Sequence, residues 1–127
     1  NMGTRFIAVK EAPVHDNVKQ EILTMDETQT QLIFRSYNNT ARVYANKVAK
    51  QVVELEAAGA DFSQVHHLVS GANQDVAWST GKIDSGMLTI GMAGGLIHDV
   101  PSCATLVDNV VNEAKSIIND RLSAIVG

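Results

Sequence analysis

The alternation of apolar and polar positions predicts helices over most of this chain. The clearest period follows Asn38 or Asn39, either of which suits a helix N-cap, and Gly59 lies just past its last apolar residue. The apolar residues recur about one turn apart, as on the buried face of an amphipathic helix: Ala41, Ala45, Val48, Val52 and Leu55. We therefore expect one long helix between these two caps.

The C-terminal segment shows the same pattern more strongly, after an N-cap at Ser102 and as far as about Ala124. Its apolar face comprises Leu106, Val110, Val111, Ala114, Ile117, Ile118 and Leu122. Three shorter segments are also predicted to be helical, namely Asp16–Leu23, Phe62–Val69 and Asn73–Ser79.

Only two short segments favour strands. Thr4–Val9 is predicted to be an extended stub, and Gln31–Arg35 is partly β-branched and aromatic. Two such fragments are too few to pair into a stable sheet on their own. The chain should therefore be mostly α, with an α+β remnant.

Composition and charge exclude several classes of protein. Hydrophobic residues make up 45% of the chain and charged residues 19%, which is typical of a folded domain. The aromatic content of 5%, the net charge of −4 and the scattered cations disfavour nucleic-acid binding. No apolar run approaches the roughly 18 residues that would span a membrane. Cys103 is the single cysteine, so an internal disulfide is excluded and a reducing cytoplasm is favoured.

Two segments contain candidate chemistry. In Met2-Gly3-Thr4-Arg5 the glycine lets the backbone approach a phosphate, while Thr4 adds a hydroxyl and Arg5 a cation. A plain strand-to-turn junction would have the same residues. The glycine-rich apolar stretch 86–97 suits either the wall of a ligand site or a packed loop.

The other polar residues form no catalytic or metal-binding set. The histidines at 15, 66, 67 and 98 have no partner at metal-ligand spacing, and we expect them to be structural or exposed. Cys103 lies at a predicted helix N-terminus, which would favour a thiolate, but we interpret it as a packing residue. The residues alone therefore give no catalytic constellation.

Taken in order, several blocks of this chain resemble nitronate monooxygenases, formerly called 2-nitropropane dioxygenases. The resemblance covers nearly all of the 127 residues. It is carried by Asn1-Met2-Gly3-Thr4-Arg5-Phe6-Ile7-Ala8, Lys10-Glu11-Ala12-Pro13-Val14-His15 with Lys19, Asn38-Asn39-Thr40-Ala41-Arg42-Val43, Leu68-Val69-Ser70-Gly71 and Gly91-Met92-Ala93-Gly94-Gly95-Leu96-Ile97-His98-Asp99-Val100-Pro101-Ser102.

The resemblance implies a fold and two groups of site residues. The family has a flavin-binding (β/α)8 TIM barrel followed by a helical domain, in a chain more than twice this long. Residues 1–14 would then be the end of the last barrel strand with its phosphate loop, and 15–127 the helical C-terminal (substrate-domain) region. Most of the barrel would be absent, and a chain that starts at Asn1 without a methionine favours the same interpretation of a fragment.

By the same resemblance, FMN phosphate would be held by Met2, Gly3 and Thr4, consistent with where such barrels bind phosphate. Thr89, Gly91 and Met92 would face the flavin ring and the substrate. This sequence departs from the family pattern at two of these positions. The family usually has Gln where this chain has Met92, and Ser where this chain has Thr89. The catalytic histidine of the family lies on an earlier barrel strand, and no histidine of this chain matches it.

The expected function is oxidation of alkyl nitronates with O₂ by the full-length protein, with the isolated chain inactive. FMN is expected as the cofactor of the full-length protein and is not expected to be bound by the isolated chain. The resemblance leaves open a flavin-dependent enoyl-acyl-carrier-protein reductase, which shares the fold and the Gly-Thr-Arg-Phe block. A third hypothesis is a stand-alone, non-catalytic helical module that forms a homo-oligomer. Its interface would bury Val48, Val52, Leu55 and parts of the terminal helix.

Overall fold

The computed structural model describes residues 2–126. Over this range the chain forms seven α-helices and one two-stranded antiparallel sheet, so the expected mostly helical character is confirmed. The elements are α1 (Gly3–Ile7), α2 (Asp16–Thr24), β1 (Thr30–Ile33), β2 (Ala41–Tyr44), α3 (Lys47–Ala57), α4 (Phe62–Val65), α5 (Gly71–Thr80), α6 (Cys103–Ser116) and α7 (Ser123–Val126). Two 3-10 helices, Ile83–Ser85 and Met92–Leu96, precede α6, and the π-helical segment Ile117–Leu122 joins α6 to α7.

The strand expected over residues 4–9 is wrong, because Gly3–Ile7 is a helix. Strand propensity is a weak preference that depends on having a neighbouring strand to pair with. Among the described residues the only sheet is β1 with β2, so the N-terminal segment has no such neighbour. A helix instead satisfies its backbone locally, beginning with the bond from Phe6 N–H to the Met2 carbonyl at 3.2 Å.

The long helix expected after Asn38 or Asn39 begins later, at Lys47, with Asn46 as its N-cap. Residues 41–44 form β2 instead and pair with β1 in the register Thr30↔Tyr44 to Ile33↔Ala41. The strand predicted near Gln31–Arg35 therefore pairs with a segment that was expected to be helical. Val43 is fully buried and Tyr44 nearly so, which suits a strand that packs on the core. Asn38 lies in the hairpin loop at φ 54, a left-handed conformation that asparagine tolerates.

The remaining helix predictions hold with shifted bounds. The helix expected over 62–69 ends at Val65, because Ser70 caps the next helix and its side chain accepts the Asn73 N–H. Ser102 caps α6 as predicted, and helical structure continues through the π segment and α7 to residue 126. Within the described range, no helix is both long and apolar enough to cross a bilayer.

Two hydrophobic clusters form the interior. The first joins the N-terminal segment, α2, α5 and the 88–97 stretch: Ala8, Val18, Ile22, Met25, Tyr44, Ala77, Leu88, Ile90 and Ile97. The second packs α3 on the hairpin: Ile33, Phe34, Val43, Ala49 and Val52.

The apolar face of α3 lies inside this second cluster and is not available to a partner. Val52 is fully buried and Val48 is 9% exposed, so the expectation that a partner covers these two residues is wrong. The terminal helix, from α6 to α7, exposes a row of large apolar side chains: Val107, Val110, Val111, Ile118, Leu122 and Ile125.

Candidate functional site

A cavity of about 780 Å³ lies between α1 and the 89–97 segment. Its lining contains all six residues predicted to contact cofactor or substrate, although they come from opposite ends of the chain: Met2, Gly3, Thr4, Thr89, Gly91 and Met92. The other lining residues are Arg5, Ile7, Ala93, Leu96 and Ile97. Their roles toward a ligand stay predictions, but the chain folds so that they share one space.

Alternation in the segment 88–90 directs Thr89 to this cavity. Leu88 and Ile90 are fully buried in the first hydrophobic cluster, while Thr89 between them is exposed. Residues two apart in extended backbone point the same way, and the residue between them points oppositely. The core contacts of Leu88 and Ile90 therefore fix the direction of Thr89.

Adjacent residues of α1 hold both ends of the Met92–Leu96 helix, which we call the 92–96 turn. Before the turn, the Thr4 hydroxyl oxygen accepts the Gly91 N–H at 3.0 Å. After it, the Arg5 guanidinium donates to the carboxylate of Asp99 at 2.7 Å and to its backbone carbonyl at 3.1 Å. The 92–96 turn is thus held to α1 on both sides by hydrogen bonds, and residues of both segments line the cavity.

Two further bonds extend this connection to α6. The Lys10 N–H donates to the Pro101 carbonyl at 2.9 Å. The Cys103 N–H donates to both oxygens of the Glu11 carboxylate, each at 3.0 Å. The bond from the Cys103 backbone lowers the pKa of Glu11. Burial and the nearby Glu11 charge both raise the pKa of the Cys103 thiol, so this cysteine is a poorer nucleophile than a free one.

The cavity walls are mainly apolar and partly open to solvent. Met92 is 51% exposed and Leu96 is 83% exposed, which is unusual for side chains of this size. Among the lining residues Arg5 alone is charged. A smaller cavity of about 460 Å³ shares Met92, Ala93 and Leu96 with the first, and adds Glu27 and Gly95.

Gly94 and Gly95 lie close to neighbouring residues, which favours the packed-loop interpretation at Gly94, whereas Gly95 also lines the smaller cavity. A Cβ on Gly94 would lie 2.5 Å from the Met25 sulfur, and one on Gly95 would lie 2.7 Å from the Glu27 backbone nitrogen. Both glycines therefore let the 92–96 turn approach the segment that follows α2. Gly91, in contrast, lines the larger cavity.

Histidines contribute to neither cavity. None of the four lies among the lining residues of the two cavities, and the His15 side chain instead caps α2 by accepting the Asn17 N–H at 3.1 Å. In the described part of the chain, no three His, Cys, Asp or Glu side chains are grouped as metal ligands would be. Sequence patterns also missed Asp99, because its partner Arg5 lies 94 residues away.

Comparisons with known proteins agree with the observed fold. The structure of FabK from Thermotoga maritima superposes with a TM-score of 0.85 at 22% identity, over 95% of this chain and 38% of that one. A mutant form of the same FabK gives a TM-score of 0.73 at 21% identity, over 95% and 35%. The chain therefore spans well under half the length of these proteins, and at such identities the likeness shows the fold alone. The family model described as nitronate monooxygenase matches residues 1–113 of the 127, so this chain belongs to the nitronate monooxygenase family.

Proposed function

We propose that this chain is the C-terminal portion of an FMN-dependent enzyme that oxidises alkyl nitronates with O₂. Residues 1–14, in which Gly3–Ile7 is helical, would supply the phosphate loop of a (β/α)8 barrel whose other parts lie outside this sequence, and residues 15–127 would form its helical substrate domain. The observation that carries the proposal is the larger cavity, which collects all six residues expected to contact FMN or substrate. The match to the nitronate monooxygenase family supports the same reaction.

The lining of the cavity contains groups that suit the phosphate and the ring of a flavin nucleotide. Its volume lies within the roughly 300–1,000 Å³ typical of small-molecule sites. The Thr4 oxygen accepts a bond from Gly91, so its hydroxyl proton is directed to a further acceptor such as a phosphate oxygen. Ile7 and Ile97 provide apolar surface for a flat ring system. When bound, the flavin would supply the redox chemistry, while these residues bind and orient it.

The substrate side is formed by Thr89, Gly91 and Met92. Thr89 keeps a hydroxyl donor where the family pattern has serine. Met92 replaces an amide with a flexible thioether, which offers apolar contact and no N–H donor. With Leu96 beside it, this wall favours an alkyl group over a polar one.

Assays of the full-length protein would test this function. With FMN bound, we expect oxygen uptake that depends on propane-2-nitronate. The isolated 127-residue chain with added FMN should show none, because the barrel would supply most of the flavin site and the catalytic histidine. Turnover by the isolated chain would refute the proposal that the barrel supplies these groups.

A flavin-dependent enoyl-acyl-carrier-protein reductase is the alternative activity. The exposed apolar pair Met92 and Leu96 favours it specifically, because an acyl chain needs a longer apolar wall than a small nitronate does. NAD(P)H oxidation with a crotonyl thioester, without oxygen uptake on nitronate, would support the reductase.

Self-association and location belong to the same proposal. The exposed apolar face of the terminal helix, which includes Val110 and Val111, is the surface that we expect to pair in a homo-oligomer of the isolated chain. A cytoplasmic setting suits the free thiol of Cys103. Light scattering of the chain over micromolar concentrations tests the association, and a monomer throughout would refute it.

A further inference from the structure

Arg5 has an unusual position for a charged residue. It is the one charged residue in the lining of the larger cavity, and its side chain is only 16% exposed. Its partner Asp99 is 67% exposed and does not line the cavity. Arg5 therefore lines the cavity while its guanidinium contacts an exposed carboxylate outside it.

The contacts of Arg5 leave donors for a ligand. One terminal nitrogen donates to the Asp99 carbonyl at 3.1 Å and the other to its carboxylate at 2.7 Å. A guanidinium has five N–H donors in a fixed planar fork, so these two bonds do not use them all. Because the Asp99 carboxylate is well hydrated, it neutralises the Arg5 charge incompletely.

We propose that Arg5 is the anion-binding residue of the cavity, and that Asp99 positions it and moderates its charge. The ligand class is a compact oxyanion attached to an apolar body, because the lining beside Arg5 includes Ile7, Met92 and Leu96. Two oxygens bonded to the same atom suit the guanidinium fork. A nitronate group and a flavin phosphate both present such oxygens, and the choice between them rests on the proposed function.

Two matched pairs of ligands separate the sources. Propane-2-nitronate and 2-nitropropane differ in charge, and FMN and riboflavin differ in the phosphate. NMR titration detects weak binding by the part of the site that this chain contains. It would follow the Gly91 amide and the Arg5 side-chain N–H of the isotopically labelled 127-residue chain. We expect the anionic member of at least one pair to bind about tenfold more tightly than the neutral one.

Three variants test the roles of the two residues. Arg5→Gln should remove the preference for the anion. Asp99→Asn keeps an acceptor oxygen but removes the competing charge, so anion affinity should rise by roughly threefold to tenfold. The control Arg42→Gln removes a cation that bonds Thr30 on the hairpin, away from the cavity, and should change nothing. Circular dichroism would check that each variant folds.

The outcomes are distinct for the inference and for the proposed function. Anion preference in the flavin pair alone supports Arg5 as a phosphate residue and counts against the nitronate as its ligand. Preference in the nitronate pair supports both. Equal binding within both pairs, no binding of any ligand, an unchanged preference in Arg5→Gln, or weaker anion binding in Asp99→Asn would overturn the inference. None of these last results bears on oxygen uptake by the full-length protein.

Discussion

Gly95→Ala is expected to destabilise the fold by about 2–3 kcal/mol, the upper part of the range for overpacking. The added Cβ would lie 2.7 Å from the Glu27 backbone nitrogen and 3.0 Å from the Asp26 carbonyl carbon. Both are main-chain atoms of the turn after α2, so no rotamer change can relieve the overlap. The whole 92–96 turn would have to move away from α2.

The neighbouring substitution Gly94→Ala gives an internal comparison. Its Cβ would lie 2.5 Å from the Met25 sulfur and 3.0 Å from the terminal methyl, which belong to a flexible side chain. Met25 is 5% exposed, so displacing it costs about 1–2 kcal/mol of packing. Part of this is offset by the roughly 0.4–1 kcal/mol that alanine gains by restricting the unfolded chain. We therefore expect a net loss between about 0 and about 1.6 kcal/mol, less than for Gly95→Ala.

Gly71→Ala is the matched control, because nothing lies within 4 Å of its added Cβ and Gly71 is in α5. It should stabilise the chain by roughly 0.5 kcal/mol through the same unfolded-state effect. Urea unfolding followed by circular dichroism measures all three changes in the free energy of unfolding. The packing argument is refuted if Gly95→Ala unfolds at the same urea concentration as the wild type, or if Gly94→Ala costs more than Gly95→Ala.

Three further outcomes follow from other contacts. Burial acts to raise the pKa of Glu56, but hydrogen bonds from the Ser36 side chain and the loop backbone outweigh it and hold the pKa below its ordinary value. The stabilisation of the fold by Glu56 should thus be complete above roughly pH 4.3, the pKa of an unfolded glutamate, and be lost as the pH falls through the lower folded value. Glu56→Gln should lower the free energy of unfolding by about 1–2 kcal/mol at neutral pH. In urea titrations at several pH values, the same variant should show a weaker loss of stability in acid. Thr4→Val removes the acceptor for the Gly91 N–H, so hydrogen exchange of that amide should accelerate about tenfold, and unchanged exchange would exclude this tether. Val111→Asp on the exposed face of α6 should weaken self-association in light scattering, and an unchanged apparent mass would exclude this face.

Local patterns predicted the elements whose determinants lie within a few residues. Ser102 accepts the backbone N–H of the residue three positions further along, so this cap can be recognised from the sequence. Helix α2 was predicted within one residue, since its spacing of apolar residues is one turn. Helical periodicity gave the wrong prediction for residues 41–44, which pair with β1 as a strand. Whether such a segment is a strand or a helix depends on pairing with a distant part of the chain, which periodicity does not show.

The candidate site could be named from resemblance but not from physics. Motif blocks identified Thr4 and Gly91 separately, and nothing local indicated that the hydroxyl of one bonds the N–H of the other. Arg5 was recognised as a cation, whereas Asp99 had no identifiable partner in the sequence. Such pairs depend on how the two ends of the chain meet, which is a property of the packed fold.

The bonds that join the N-terminal segment to the 91–103 region also affect how the chain folds. Thr4 and Gly91 are 87 residues apart, and Arg5 and Asp99 are 94 apart, so each bond closes a loop of most of the chain. Loop-closure entropy delays such contacts relative to those made within one hairpin and its following helix. Refolding should therefore form the α3–hairpin cluster first, and the cavity should be assembled in the last step.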